Sequence, residues 1–529
     1  MTAAPAEPSP HILAIDMGTG TAKAALVSRR GRIAAAAMRE IEMLHLPGGG
    51  AEQDPEQWWE AVVGAAREAI ERSGLAPEQV IAVRCATQWA VTVPVDAEGR
   101  ALANAVSWMD TRGGPHVRRL VRGPLKVAGY SVAKLPRWLR LTGGAPVLSG
   151  IDGLGHLLYF KHERPDIYAA AAAFLEPMDY LNLRLCGRAA ASYASIYPYW
   201  LTDNRDVSRV RYDARLLRRA GIDPAKLPEL APLDAVLGTL APAACEALGL
   251  GPGTRVLSGL PDGQAATIGA GIVAEGEGYV SIGTSSWLSC LVPRKKTDLR
   301  HMIATAPAAL PGRHQVIAEQ GAAGRCLEFV ARNVLYGDDA SGPAPPPDLY
   351  ELLDREAASV PPGSDGLLFT PWLNGVNAPR EDPYTRSAFF NQSLATTRAH
   401  YVRATMEGVA YNLRWLKGAV ERFAGRRFER LNLIGGAALS GTWCQVLADV
   451  LDCEIGQVAN PRYANAVGAA LSGFAALGEL DPAEIPAAVE LSATYEPNAA
   501  ARRVHERQFE HFLGLYRANR RLYRRLNNA

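Results

Sequence analysis

Residues 11–16, HILAID, form a short apolar run that ends on a carboxylate and enters the glycine/threonine stretch MGTGT, which predicts a strand leading into a tight turn. Residues 23–28 are apolar again, RRGR supplies a second turn, and another apolar run opens at Ile33. That order predicts consecutive hairpin strands, not the strand, loop and helix of a dinucleotide-binding or P-loop unit. Helical spacing first appears in DPEQWWEAVVGAAREAIERSG, where Trp58, Val62, Ala66 and Ile70 recur, Asp54 can cap, Pro55 suits the first turn and Gly74 closes the helix. Strand patterns at 80–85 and 90–95 then alternate with helical stretches, which predicts an α/β layer architecture. Toward the end, GDDASGPAPPPD reads as an exposed loop and YRANRRLYRRLNNA as a solvated amphipathic helix.

An internal echo carries more than any single element. IDMGTGTAKAALV is answered half a chain later by VSIGTSSWLSCLV, and both place Gly-Thr and small hydroxyl residues at a bend between two β-rich runs. The simplest reading is two halves of similar plan, each presenting a phosphate-facing turn.

At 529 residues, 48% of them hydrophobic, the chain is too long for one compact core, and two domains are expected. A formal net charge of +2 gives no sustained positive field, so nucleic acid is not an expected partner. The seven cysteines show no C-x-x-C pair or metal-ligand spacing and read as reduced core thiols. MTAAPAEPSP has neither a cationic start nor an apolar run, and no later stretch stays apolar long enough to cross a bilayer. A disordered tail over 1–10, no membrane partner and a cytoplasmic home are the expectations.

Three constellations carry chemistry. Gly18, Thr19, Gly20, Thr21 and Lys23 offer backbone N–H groups, hydroxyls and a cation to an anionic phosphate, and Asp16 at the strand end suits magnesium held through water. An ordinary hairpin with a Gly/Thr turn explains the same residues. In SGLPDGQAATIGAG an apolar approach over 256–260 delivers Asp262 into small residues that read as a helix start, either as a cap or as a base with room for a substrate. In LNLIGGAALSGTWCQVLADVL a strand runs into Gly435-Gly436 and a helix carrying Trp443, Val446, Leu447 and Val450, where glycines admit a base or phosphate, or close helix packing. No Walker-type loop and no H-E-x-x-H sequence occurs.

In this order the three segments resemble the FGGY family of carbohydrate kinases, of the actin/hexokinase-like (ribonuclease H-like) ATPase fold with an interdomain cleft. AEQDPEQWWEAV, SWMDTR, LPGRHQVIAEQGAAG, GSDGLLFTPWLNGVNAP and HYVRATMEGVAYNL extend the resemblance over nearly the whole chain, with a xylulokinase-like texture. The resemblance implies a two-domain plan, 11–252 for sugar and phosphate and 253–529 for the base and nucleotide. It implies ATP and magnesium as cofactors, a sugar or polyol as substrate, and a homodimer as one possible assembly. Asp262 is implied as the general base and Asp16 as the magnesium-water carboxylate. Gly18, Thr19, Gly20 and Lys23 are implied at the transferred phosphoryl group, Gly283 and Thr284 at the second phosphate turn, and Gly435, Gly436 and Ser440 at the nucleotide. Trp108, Asp110 and Arg112 fall in the segment near the sugar, and Gln88, Trp89 and Gln264 complete the expected substrate contacts.

Departures from the family pattern cluster at the sugar. Gln88-Trp89-Ala90 stands where xylulokinases carry Gln-Met-His and glycerol kinases Gln-Arg-Glu, and Gly263 stands where an amide is common, with Gln264 next to it. The first family signature appears as GIDGLGHLLYF with His156 and Tyr159, Asn391 stands at a glycine of the second, and Ala437 replaces the third glycine of the nucleotide motif. A segment at 117–141 is extra, and reads as a cleft cover, a subunit contact or a local surface helix. Trp89 in place of a charged or imidazole partner favours stacking on a sugar face, hence a pentulose such as xylulose or a related polyol, with a kinase for another polyol or sugar (glycerol, erythritol, ribulose) as the alternative. The competing classes are a catalytically silent sugar or nucleotide sensor and an actin-like ATPase that drives assembly.

Overall fold

The computed structural model describes residues 9–336 and 346–528, so most of the loop expected at 337–348 and all but the end of the tail expected at 1–10 lie outside the described residues. The first apolar runs form β1 (His11–Met17), β2 (Thr21–Ser28) and β3 (Ile33–Glu40), an antiparallel meander as the turn chemistry predicts. β4 (Val80–Thr87) joins β1 in parallel, followed by β5 (Val236–Thr239), β6 (Arg255–Leu257) and β7 (Leu260–Pro261). The sheet order is β5-β6-β4-β1-β2-β3, with β7 also on β4. The first sheet therefore runs past the border expected near residue 252. Residues 90–95 differ from expectation too, because the strand is only Val93–Val95. Ala90 turns to a φ of 58° and takes the chain out of extended geometry.

The second sheet repeats the plan. β8 (Gly278–Ile282) and β9 (Ser286–Val292) form the echoed hairpin, extended by β10 (Thr297–Asp298), β11 (Ile303–Pro307) and β12 (His314–Ile317), with β13 (Glu319–Gln320) also on β9. On the other side of β8 lie β14 (Arg430–Ile434) and β15 (Glu454–Val458), both parallel, then β16 (Leu491–Tyr495), antiparallel. Central β1 and β8 each have an antiparallel hairpin partner on one side and a parallel strand on the other, so the sequence echo is a structural repeat.

Helix α1 (Pro55–Ser73) packs across β2 and β3, with Asp54 accepting from the Glu56 N–H and Gly74 left-handed at its end, as predicted. Helix α2 (Asp262–Gly269) links the two sheets. α3 (Arg398–Ala424) and α4 (Gly441–Leu451) pack together in the core of the second domain, where Trp372, Phe369 and Tyr411 are buried. α5 (Ala464–Ala476) leaves the second sheet yet packs on β1, β2 and β4 of the first, and crosses α2 there. At that crossing Gly269 faces the Ala464 carbonyl and Gly468 the Ala265 carbonyl, so close that a methyl group at either glycine would overlap backbone. α6 (Ala499–Asn527) is the amphipathic C-terminal helix, burying His505, Phe512 and Tyr516. No helix among the described residues is long and apolar enough to cross a membrane.

The extra segment is not a single helix. It holds Gly114–Leu120, a small hairpin of Lys126–Val127 with Tyr130–Ser131, and Leu135–Leu141, laid over the first domain through Val117, Val121 and Trp138. Its far end meets the second domain, where the Lys295 ammonium donates to the Leu141 carbonyl at 3.1 Å. Five of the seven cysteines are buried; Cys186 and Cys245 are half-buried.

Candidate active site in the interdomain cleft

The first hairpin turn is built by register. Asp16 pairs with Lys23 across β1 and β2, which puts the two side chains on one face, and Lys23 Nζ donates to Asp16 Oδ2 at 2.9 Å. The other carboxylate oxygen accepts from Asn465 Nδ2 at 3.3 Å, so the first residues of α5 reach into the same turn. Thr19 starts a polar chain: its hydroxyl accepts from Trp108 Nε1 at 3.1 Å and donates to Gln88 Oε1 at 3.1 Å, while Gln88 Nε2 donates to Gln53 Oε1 at 2.6 Å. Gln53 closes the loop by donating to the Thr19 carbonyl at 2.7 Å. Phosphate turn and sugar-side loop are thus tied together.

Asp262 opens α2 at the end of β7 and is half-buried. Burial, and then the negative charge of Asp16, push its carboxyl up to about 7, against the opposing pull of the Gly263 N–H at 2.7 Å and of Lys23. Glu319 on β13 is raised to about 7 in turn, by burial and by Asp262. Trp287 is paired with Glu319 across β9 and β13, so its half-buried indole shares that face.

The second hairpin turn leaves Gly283 with open space where a side chain would stand, as Gly20 and Gly436 have. The Gly283 and Thr284 carbonyls are taken by the N–H groups of Gly324 and Ala323, which turns this loop's carbonyls toward the helix start at 324. Gly435, at φ +87°, lies so near the Ile282 carbonyl that a Cβ would sit 2.5 Å from it, which brings nucleotide turn and phosphate turn into contact.

Several expected contacts turn out to be supports. Gln88 is 3% exposed with its amide spent on Thr19 and Gln53, and Gln264 is buried with its amide on the Pro307 carbonyl at 3.2 Å. Asp110 is wholly buried, accepting from the Ala51 N–H at 3.0 Å and from Arg112, whose guanidinium also bonds Glu52 and the Tyr159 hydroxyl. Ser440 accepts from the Trp443 N–H as the cap of α4 and donates to Asp354, so its hydroxyl is spent inside the fold. Trp108, 39% exposed, and half-buried Trp89 remain at the surface. The Trp89 indole N–H donates to the Ser195 carbonyl at 3.1 Å and its ring lies 5.7 Å from that of Tyr197, whose hydroxyl donates to the Thr305 carbonyl at 3.1 Å. Both aromatic edges are satisfied internally; Tyr197 is buried, so the exposed part of this pair belongs to the Trp89 ring.

His156 and Tyr159, the altered residues of the first signature, are internal as well. His156 is buried beside the Thr92 hydroxyl at 3.1 Å, and burial lowers its imidazole to about 4, while the Tyr159 ring lies under the Arg112 guanidinium. Asn391 adopts a left-handed φ of 66°, which asparagine tolerates better than most residues, and so takes the glycine's place. Gln53, Tyr279, Trp287, Gln315, Glu319 and Asn465 were not singled out by sequence. The one signal for Gln315 and Glu319 was polarity inside an apolar strand pattern, as in HQVIAEQ.

Residues 11–269 match the N-terminal domain of the FGGY family of carbohydrate kinases and residues 278–477 its C-terminal domain. The xylulose kinase of Bacillus subtilis is 26% identical over 510 residues, 96% of each chain, and the gluconokinase of the same organism is 26% identical over 473 residues, 89% of this chain and 88% of the relative. The crystal structure of a xylulose kinase from Rhodospirillum rubrum superposes with a TM-score of 0.82 at 26% identity, covering 97% of this chain and 99% of that one. With both domains matched, in order and around one cleft, the chain belongs to the FGGY family of carbohydrate kinases and is an ATP-dependent sugar kinase of the actin/hexokinase-like fold.

Proposed function

We propose that the protein phosphorylates a pentulose or a related neutral polyol, with xylulose the leading candidate, by in-line transfer to a hydroxyl deprotonated by Asp262. The observation that carries this reading is the half-buried Asp262 carboxyl at the junction of β7 and α2, with the Asp16–Lys23 turn close enough to perturb it. Asp262 takes the hydroxyl proton late, as the acceptor oxygen bonds to phosphorus. The Gly18 N–H closes the turn on the Thr21 carbonyl at 2.9 Å, and the ammonium of Lys23 with the N–H groups of Thr19 and Gly20 answers charge on the transferred group. The open space at Gly20, Gly283 and Gly436 fits phosphates laid directly on backbone, with Gly435 and Thr284 beside them. ATP would supply the phosphoryl group, and Asp16 is the residue that would hold magnesium, through water, where the ion would offset the charge of the phosphates.

Two features favour a neutral acceptor with an apolar face. Half-buried Trp89, backed by buried Tyr197, has no free polar edge and suits the C–H side of a sugar. Glu319 beside Asp262 adds a second acid where an aldonate such as gluconate would bring its own charge. Gln88, Asp110, Arg112 and Gln264 serve this reading as supports, their hydrogen bonds spent inside the fold, and exposed Trp108 donates to the Thr19 hydroxyl of the phosphate turn.

The test is ADP release from magnesium-ATP over pentuloses, polyols, hexoses and gluconate, with Asp262→Asn beside the wild type. Release that depends on a pentulose and is lost in the variant supports the reading. Strict preference for glycerol refutes the pentulose choice, and strict preference for gluconate refutes the neutral acceptor. Nucleotide binding with no acceptor-stimulated release would make the protein a sensor.

A further inference from the structure

Asp262 stands at the end of a strand that hydrogen-bonds to the first sheet, through Leu260 and Pro261 on β4. The next residue is gripped from the other domain. The Gly263 carbonyl accepts from the Gln315 amide at 2.9 Å and the Tyr279 hydroxyl at 3.1 Å, besides the Thr267 hydroxyl one helical turn on at 3.0 Å. Tyr279 belongs to β8 and Gln315 to β12, both in the second sheet.

A carbonyl in the first turn of a helix is already answered by the backbone N–H four residues on, so two donors from another domain exceed what satisfaction requires. They are also costly to keep there. Both side chains are buried, and Gln315 Oε1 is shut from solvent with no partner, so the amide is not placed to satisfy itself. A Cβ on residue 263 would lie 3.9 Å from Gln315 Nε2, which puts that amide in the space next to the position where relatives carry one.

We infer that Tyr279 and Gln315 are positioning residues for the reaction: they fix the first turn of α2 by its Gly263 carbonyl, so that Asp262 moves with the second domain's sheet although its strand ends on the first. The inference rests on Asp262 as the base. It makes the base part of the nucleotide-bearing body, delivered to the acceptor hydroxyl when the two domains approach, and it explains how a chain without an amide at 263 keeps the carboxyl in register.

Tyr279→Phe removes one donor with no change of shape, and Gln315→Met removes the other at similar volume. Each is measured alone and together, in the wild-type and Asp262→Asn backgrounds, with magnesium-ATP and the acceptor of highest turnover from the panel above. The expected result is a kcat lower by about ten- to a hundredfold for the pair, KM values for both substrates within twofold, and no further loss in the Asp262→Asn background. A kcat within twofold of wild type for the pair overturns the inference, and so does the same proportional loss in both backgrounds, which is what general loosening would give. Wild-type turnover by Asp262→Asn alone removes the base, and the inference falls with it. Tyr279→Phe, the milder change, keeps the test open if Gln315→Met folds poorly.

Discussion

Replacing Asp262 by asparagine should stabilise the fold while cutting turnover sharply, and the size of the gain follows from its setting. A carboxyl raised from 3.8 to about 7 costs about 4 kcal/mol to ionise in the folded state, at about 1.4 kcal/mol per pH unit. Asp262 is half-buried at the cleft, where water screens part of that cost, so about 2 kcal/mol is the working figure. Between pH 3.8 and 7 the unfolded chain has released this proton and the folded one has kept it. The wild type therefore loses stability as pH rises through that window and levels off above it, whereas the neutral amide does not. Calorimetry without ligand at pH 4.5, 6 and 8 should show the variant's advantage widen from near zero to a Tm about 4 °C above the wild type, taking one domain of about 250 residues as the unfolding unit. Turnover at pH 8 should fall at least about a hundredfold. A gap that does not change with pH, or a wild type more stable at pH 8, would refute the reasoning: the carboxyl would then not be strained by its surroundings.

Other consequences are quicker to check. The pH profile of kcat/KM for the acceptor should have an acid limb near 7, and Asp16→Asn should move that limb down, because a like charge has been taken from beside the base; a limb that stays put excludes Asp16 as a cause. Trp89→Ala should raise the acceptor KM about tenfold, the scale of a lost aromatic stacking contact, and leave the KM for ATP within twofold; equal effects on both substrates would place the ring elsewhere in the cycle. Gly436→Val should leave the Tm nearly unchanged, since no atom lies within 4 Å of the new Cβ, yet weaken ADP binding by calorimetry at least about tenfold; unaltered binding would remove this turn from the nucleotide site.

The hairpin turns, the strand-to-helix delivery of Asp262 and the caps of α1 were legible because each is local: a few adjacent residues with special backbone needs decide them. The echo between the two Gly-Thr bends proved to be a repeat of whole sheets, visible because identical turn chemistry recurs at identical topological places. What could not be read was which polar groups reach the cleft. Gln88, Asp110, Gln264 and Ser440 carry the right chemistry at the right point in the chain, but their hydrogen bonds run to partners 35, 59, 43 and 86 residues away, and only the packed fold reveals that those groups are already used. Tyr279, Gln315 and Glu319 were missed for the converse reason. They sit in ordinary strands of the second half, and their importance comes from facing α2, which no short window contains.

The crossing of α2 and α5 touches backbone to backbone through Gly269 and Gly468, with no side chain between. In mechanical terms this contact is a bearing rather than a clasp. Interlocked side chains would store elastic energy when one helix turned against the other and would favour one angle. Flanking side chains, Ile268 and Val467 among them, share one apolar cluster, but at the two glycines no teeth have to disengage, which suits an angle between the lobes set by what lies in the cleft. The ligands, and not the hinge, then set how far the jaws shut.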